Sequence, residues 1–382
     1  MANVDRVVER IEEALATGLW RNGEALPKAR SLCKDWGISA STLVEGILSV
    51  ASKGLVHKKG KFWIAGPSPE FYPETIPSTS NDPPTILIVS HQAEEWGEFH
   101  RNLLAGFVIS VGIEANRHGV RLYPVLTGEV NSEAPYPLGK NAIRKFARQL
   151  GSSFLGCIFT PMRSCTIDMD EWLVFLSGLG RKVVWMQDEN PAAALHAPRF
   201  VYRMSFGDWA EMPKQSSASL ALRTLYKAGH RHIAIPCNDP SISTWLEVRI
   251  RLLQQELAQW PEMTLTCILQ NANCSDEVLL RDLPTQGITA ILAPHDALAV
   301  RYFRALHRLG IRVPEQISIL SFDNLYTLKP TPVSTIDFGL EQLGYQAFHI
   351  LFGVIPIKAG HSRQILGHAK LVDNGSVSAI TR

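Results

Sequence analysis

Val4, Val7, Val8, Ile11, Ala14 and Leu15 recur at the spacing of one helix face, and Gly18 predicts the end of that helix. Pro27 predicts the opening of a second helix carrying Leu32, Cys33 and Trp36, broken at Gly37. Ser39 or Ser41 predicts the cap of a third, whose apolar positions include Leu43, Ile47, Leu48 and Ala51. Leu55-Val56 and Phe62-Trp63-Ile64 flank a basic turn centred on Gly60, the pattern of a small hairpin. The order is helix, helix, tight turn, helix, two-stranded wing. From Ala65 to Pro84 there are six prolines in twenty residues and no Lys or Arg, which predicts a semi-rigid linker.

Beyond the linker the pattern alternates. Short apolar runs at 85–89, 120–123, 156–159, 182–186, 233–235, 265–269, 290–292 and 317–321 predict strands. Helical spacing predicts helices at 103–117, 140–150, 169–179, 216–228, 245–259, 275–283 and 297–309. Such alternation predicts an α/β fold of parallel βαβ units with helices on both sheet faces. About 300 residues is large for one doubly wound core, so two lobes with a cleft between them are expected.

Composition narrows the class. The 382 residues are 46% apolar and 19% charged, which excludes a disordered or fibrous chain. Six cysteines without a CxxC pair suit reduced structural thiols. The charged, amphipathic start and the lack of a long apolar run predict a soluble, cytoplasmic product. Residues 1–64 hold ten Lys/Arg against seven Asp/Glu, whereas 65–382 hold 28 against 29. The positive excess is densest at Lys53, Lys58, Lys59 and Lys61, and it attracts polyanions.

Gly23 to Pro27, then Arg30, Leu32, Gly37, Ile38-Ser39, Thr42, Gly54-Leu55 and the basic wing turn, together resemble the winged helix-turn-helix of the GntR family. The resemblance implies DNA contacts from Arg30, Ser41, Thr42 and the wing residues Lys58, Lys59, Gly60 and Lys61. Two positions depart from that family's pattern. Ala40 and Val44 stand where it usually carries arginine, which removes two guanidinium donors from the recognition helix.

Downstream, Ala290-Ile-Leu-Ala-Pro-His-Asp-Ala-Leu-Ala299 and Leu309-Gly-Ile-Arg-Val-Pro through Asp323-Asn324 resemble the sensor of the LacI/GalR family, as does Ala228-Gly-His-Arg-His-Ile-Ala-Ile235. The resemblance implies a two-lobed, periplasmic-binding-protein-like fold, with crossovers near 205–215, 333–336 and 360–366, and it places a ligand-contacting arginine at Arg249. Asp296, with His295 in place of the usual Asn, and Asp323 fall at strand ends, where carboxylates can accept from ligand hydroxyls. His91, Trp185 and Asp188 follow or end strands of the other lobe and could face the cleft. Each also has a structural reading: Asp296 as a helix cap, Asp323 as a turn residue, Arg249 as a surface helix residue.

The chain lacks HExxH, GxSxG, GxGxxG and Walker patterns, so no catalytic residue, metal or cofactor is expected. The expected organisation is a reader at 1–64, a proline-rich linker at 65–84, and a ligand-sensing and dimerisation domain at 85–382. The expected function is that of a ligand-responsive transcriptional regulator, a repressor. Its expected partners are an operator in double-stranded DNA, a sugar or similar small polar effector, and a second copy of the chain. The alternatives are a small-molecule-binding module whose winged helix serves protein contacts, or an enzyme. The LacI/GalR hinge helix is absent, so reader and sensor must communicate by another route.

Overall fold

The computed structural model describes residues 3–21, 23–66, 82–91, 104–127, 139–160, 169–187, 200–206, 216–237, 244–269, 274–325, 329–357 and 363–380. Most of the expected linker, 67–81, lies outside them. Helix α1 (Asn3–Ala16) buries Val7, Ile11, Ala14 and Leu15, as their spacing predicts. Helix α2 (Ala29–Trp36) starts two residues after Pro27 rather than at it. The segment before it is held elsewhere: Leu26 N donates to Trp63 O at 2.8 Å, and Ala25 bridges Ile64. Helix α3 (Ala40–Ser52) is capped by Ser39, whose Oγ accepts from Thr42 N at 3.1 Å. Strands β1 (Val56–Lys59) and β2 (Phe62–Ala65) pair antiparallel around Gly60, whose φ of 61° suits the two-residue turn. β2 thus runs one residue into the expected linker. One apolar cluster, including Ile11, Trp20, Leu32, Leu43, Ile47 and Val56, joins these elements.

The rest of the chain builds two six-stranded sheets. The first lobe holds β3 (Thr85–His91), α4 (Ala105–Arg117), β4 (Arg121–Thr127), α5 (Lys140–Leu150), β5 (Phe154–Thr160), α6 (Met169–Ser177), β6 (Lys182–Gln187) and β7 (Val201–Ser205). The second holds α7 (Ser217–Lys227), β8 (His232–Cys237), α8 (Thr244–Leu257), β9 (Thr264–Leu269), α9 (Asp276–Leu280), β10 (Ala290–Leu292), α10 (Asp296–Arg308), β11 (Ser318–Phe322) and β12 (Ser334–Asp337). The chain then returns to the first lobe as α11 (Leu340–Phe352) and β13 (Gln364–Leu366), and ends in the second as β14 (Lys370–Val372). Strand order is β13-β7-β6-β5-β3-β4 in the first sheet, all parallel. It is β14-β12-β11-β10-β8-β9 in the second, parallel except for β14.

Strands buried on both faces explain the near-continuous apolar runs. Ile86, Ile158, Val184 and Met186 face α4 and α11, while Leu87, Val89, Phe159 and Val183 face α5 and α6. The expected strands extend by one to three residues at an end in most cases, and 317–321 shifts to Ser318–Phe322. Four strands, β7, β12, β13 and β14, were not among those expected. In β12, Ser334 and Thr335 are fully buried, yet Ser334 Oγ donates to Asp373 Oδ1 at 3.0 Å and Ser334 N donates to Ser376 Oγ at 2.7 Å. Hydrogen bonds, together with burial of Ile336, hold this strand in the sheet. Because β12 and β13 occupy the positions expected for crossovers, the second and third crossovers fall slightly later, at 338–339 and 367–369.

Helix α11 packs closely on α4 at Gly344, where a Cβ would lie 2.3 Å from Phe107 O and 2.9 Å from Ser110 Cβ. Backbone cannot yield there without separating the helices. Gly344→Ala is expected to lower unfolding free energy by about 1–3 kcal/mol, as overpacking does. Urea unfolding followed by fluorescence measures it, and an unchanged midpoint would show that the two helices are free to part.

Candidate effector cleft and DNA-binding face

The C-terminal ends of β10 and β11 bring together residues far apart in the chain. β11 ends at Phe322, and the next two residues take left-handed backbone, Asp323 at φ 99° and Asn324 at φ 50°. Successive non-glycine residues in that region carry strain that surrounding contacts must hold. Asp323 N donates to Ile336 O at 3.0 Å, and Asn324 Nδ2 donates to Asp337 Oδ2 at 3.1 Å, tying the turn to β12. The Asp323 side chain is buried and lies 3.5 Å from Arg249 Nη1. Arg249, on α8 and also buried, donates to Pro294 O. Its guanidinium carbon stands 4.6 Å from the Phe322 ring centroid and 5.3 Å from that of Phe338. Phe206 and Phe338, at the first and second crossovers, lie 6.2 Å apart. A buried carboxylate, a buried guanidinium and an aromatic wall therefore meet at the strand ends, the usual place for ligands in open α/β sheets.

Asp296 and His295 support this turn. Asp296 is the first residue of α10 and not the cap of a helix starting at 297; His295 is the cap, its Nδ1 accepting from Leu298 N at 3.4 Å. Asp296 Oδ1 accepts from Ser321 Oγ, and Oδ2 accepts from Leu325 N at 2.7 Å, so both oxygens brace the segment carrying Asp323. Burial raises its pKa against these hydrogen bonds. Burial, with the charges of Arg249 and Arg301, holds His295 at about 3, so it caps as a neutral ring. Trp185 stands apart from the pair: it is buried in the first lobe among Leu87, Val89 and Phe159, on the sheet face covered by α5 and α6. Asp188 and the His91 side chain lie outside the described residues, as do 92–103, 128–138, 161–168 and 188–199, which follow β3, β4, β5 and β6.

On the reader, Arg30, Ser41, Lys58, Lys59, Gly60 and Lys61 are exposed and Thr42 is half-buried. Ser39 Oγ lies 2.9 Å from Ser41 Oγ and 2.8 Å from Thr42 Oγ1, a group of hydroxyls at the N-terminus of α3. Such a terminus can receive phosphate oxygens, as can exposed lysines on a wing.

The sequence did not disclose how the reader meets the sensor. Gln346 Nε2 on α11 donates to Ala16 O at 2.9 Å, and Gly18 lies against the ring of Tyr345. Arg21 reaches Glu341 at 3.8 Å, and Arg117 reaches Glu24 at 4.0 Å. Arg117 also donates to Glu114 Oε1 at 3.0 Å, and Glu114 Oε2 lies 3.2 Å from His349 Nε2 and 3.8 Å from His118 Nε2. Among the described residues, Glu114, His118 and His349 form the group whose donor atoms, all within 4.8 Å of one another, are close enough to hold a metal ion. Glu114 and His118 stand four apart on α4, a signal available in the sequence, but His349 is 235 positions from Glu114. The carboxylate already meets both Arg117 and His349, so the group locks α4 to α11 beneath the reader.

Comparison with known proteins agrees with both halves of this geometry. Residues 3–61 match the bacterial regulatory proteins of the gntR family, and 222–377 match the periplasmic binding protein-like domain. The chain thus joins a segment similar to the GntR regulatory proteins to one similar to the periplasmic binding protein-like domain. In particular, it is similar to the HTH-type transcriptional repressor PurR of Histophilus somni (strain 129Pt), with 25% identity over 175 residues, 43% of this chain and 51% of that one. PurR of Pasteurella multocida (strain Pm70) is 33% identical over 109 residues, 28% of this chain and 31% of that one. The chain thus matches about half, or less, of the length of these curated relatives. A LacI family regulator from Arthrobacter sp. FB24, solved with lactose, covers 78% of this chain and 100% of its own, with TM-score 0.52 and 19% identity. One from Enterococcus faecium, solved with ribose, gives the same coverage, TM-score 0.51 and 15% identity. At these identities the likeness is one of fold.

The Glu114 group predicts a pH dependence. Burial first, then the neighbouring His349, lowers the His118 pKa to about 4, and burial likewise lowers that of His349. Burial would raise Glu114, but the hydrogen bond and charge of His349 and the charge of Arg117 outweigh it, and its pKa is lowered. All three groups bind protons less readily folded than unfolded. The stability the two histidines contribute is full above their ordinary value of 6.5 and falls away as pH drops toward 4, whereas that of Glu114 is lost only below 4.5. Chemical denaturation should show a loss of about 2 kcal/mol through His118 on going from neutral pH to about 4.5. His118→Gln should flatten that profile, and an equal slope in both proteins would remove His118 from the network.

Proposed function

We propose that the chain is a ligand-responsive DNA-binding transcriptional regulator, a repressor that works in the cytoplasm as a homodimer, and not an enzyme. It divides into a reader at 1–64, a proline-rich linker at 65–84 and a sensing and dimerisation domain at 85–382. The observation that carries the reading is the seat of the reader on α11. That helix begins three residues after β12 ends, directly beyond a crossover between the lobes. An effector that binds one lobe arrangement better than another shifts the crossover, and with it the surface that Ala16 and Gly18 rest on. Asp323 accepts from adjacent hydroxyls and Arg249 donates to remaining oxygens, a pattern suited to a sugar or similar polar molecule. The lactose and ribose of the two LacI family structures support that class. Val108 and Ile113 on α4, with Tyr123 and Leu126 on β4, are exposed apolar groups available to a second copy, and two linked readers gain avidity on a palindromic operator.

Selection of bound duplexes from a random pool by the full chain, with and without a panel of monosaccharides and disaccharides, tests the reading. No enriched duplex, or enrichment that no sugar changes, would count against it. For the sugar so identified, Asp323→Asn keeps a residue that tolerates left-handed backbone and loses the charge. Calorimetry should show more than tenfold weaker binding by a protein that still melts cooperatively; native-strength binding would remove Asp323 from the site. Lys58→Ala with Lys59→Ala should weaken binding to all duplexes alike and flatten the salt dependence by roughly one to two phosphate contacts. An unchanged slope in a salt titration would take the wing out of the interface.

A further inference from the structure

The side of α3 that faces the reader core carries Leu43, Gly46, Ile47 and Val50. The opposite side carries Ala40, Ser41, Val44, Glu45 and Leu48, all exposed, with Val44 at 49% and Leu48 at 52%. Ala40, Val44 and Leu48 stand four residues apart and so form one apolar stripe along the helix. No Arg, Lys, Asn, Gln or His occurs anywhere in α3. The side chains that make paired hydrogen bonds to guanine or adenine are therefore missing from it. What the major groove offers an aliphatic side chain is the C5 methyl group of thymine.

The surroundings fit that occupant. β1 packs on α3, and the turn beyond it exposes Lys58, Lys59 and Lys61. Hydroxyls of Ser39, Ser41 and Thr42 gather at the helix start. Exposed lysines and hydroxyls in the same small domain as an apolar stripe complement a polyanion with methyl groups on its groove floor. They do not complement a second copy of the same surface, because that contact would bring two lysine wings together. Glu45, the one charged residue of α3, repels phosphate and can accept from a cytosine amino group, which favours a position over the base edges.

We propose that α3 reads thymine by its methyl group: Val44, with Ala40 and Leu48 on either side, packs on C5 methyls of A·T pairs in the major groove. The operator core would then be defined by thymines rather than by guanine contacts. This rests on the reading of the chain as a DNA-binding regulator.

The test uses the full chain and the duplex it enriches from a random pool, resynthesised with deoxyuridine replacing thymidine at one position at a time. The replacement removes one methyl and leaves base pairing intact. At one or more core positions it should weaken binding about fourfold, which is about 0.8 kcal/mol at 1.4 kcal/mol per factor of ten. Val44→Ala should no longer distinguish the thymine and uracil duplexes at those positions, and Val44→Arg should enrich sites carrying guanine. Val44 is half-exposed, so both variants should melt as the wild type does. Equal affinity for thymine and uracil duplexes at every position would overturn the methyl contact and leave the DNA-binding function standing. Failure to enrich any duplex would overturn both. Self-association that Val44→Glu abolishes, with DNA affinity kept, would reassign the stripe to a second copy and overturn the proposal.

Discussion

Helix α11 is buried on nearly every side, and a helix that is apolar almost all round must find neighbours all round. Leu340 and every residue from Leu343 to Leu351 are buried. The first-lobe sheet covers one side and α4 another, close enough that Gly344 admits no side chain. What remains is taken by the reader's Ala16–Gly18 turn, through Gln346 and Tyr345. The same helix begins where the chain has just crossed between lobes. The reader's seat, the first-lobe core and the segment that follows the second crossover are thus one element. Close packing of this kind lets such an element shift as a unit rather than bend.

Buried charge is handled in the same way at two places. Arg249 and Asp323 lie together beside Phe322 and Phe338, and Glu114 lies with Arg117 and His349 between α4 and α11. Isolated burial of any of these ions would be costly, whereas paired burial holds the elements that carry them in one arrangement. The first pair lies where a ligand can compete for its polar atoms. The second lies under the reader, and Arg117 touches both Glu114 and the reader's Glu24.

The reader divides its labour by chemistry. Lysines on the wing attract phosphate without distinguishing bases, since an ammonium is a point charge with freely rotating donors. The exposed stripe of α3, by contrast, is aliphatic. The two departures from the GntR pattern, Ala40 and Val44, are both on that exposed side and leave the core residues of α3 unaffected.

Local periodicity alone determined much of this protein. The stripe through Val7, Ile11 and Leu15, the Ser39 cap, the Gly60 turn and most parallel strands are set by residues close in sequence, because each element's buried face is written at its own period. Asp323 was legible as a site candidate through its place at a strand end and Arg249 only through the LacI/GalR resemblance, and the structure brings them within 3.5 Å across 74 positions. Trp185 shows the limit: its strand was evident, but which sheet face it occupied depended on the helices that cover it. The polar strand β12, the neutral cap at His295, the Glu114–His349 contact and the reader's seat on α11 were decided by tertiary structure. Each depends on partners distant in the chain that supply hydrogen bonds or exclude water, and no local pattern carries that information.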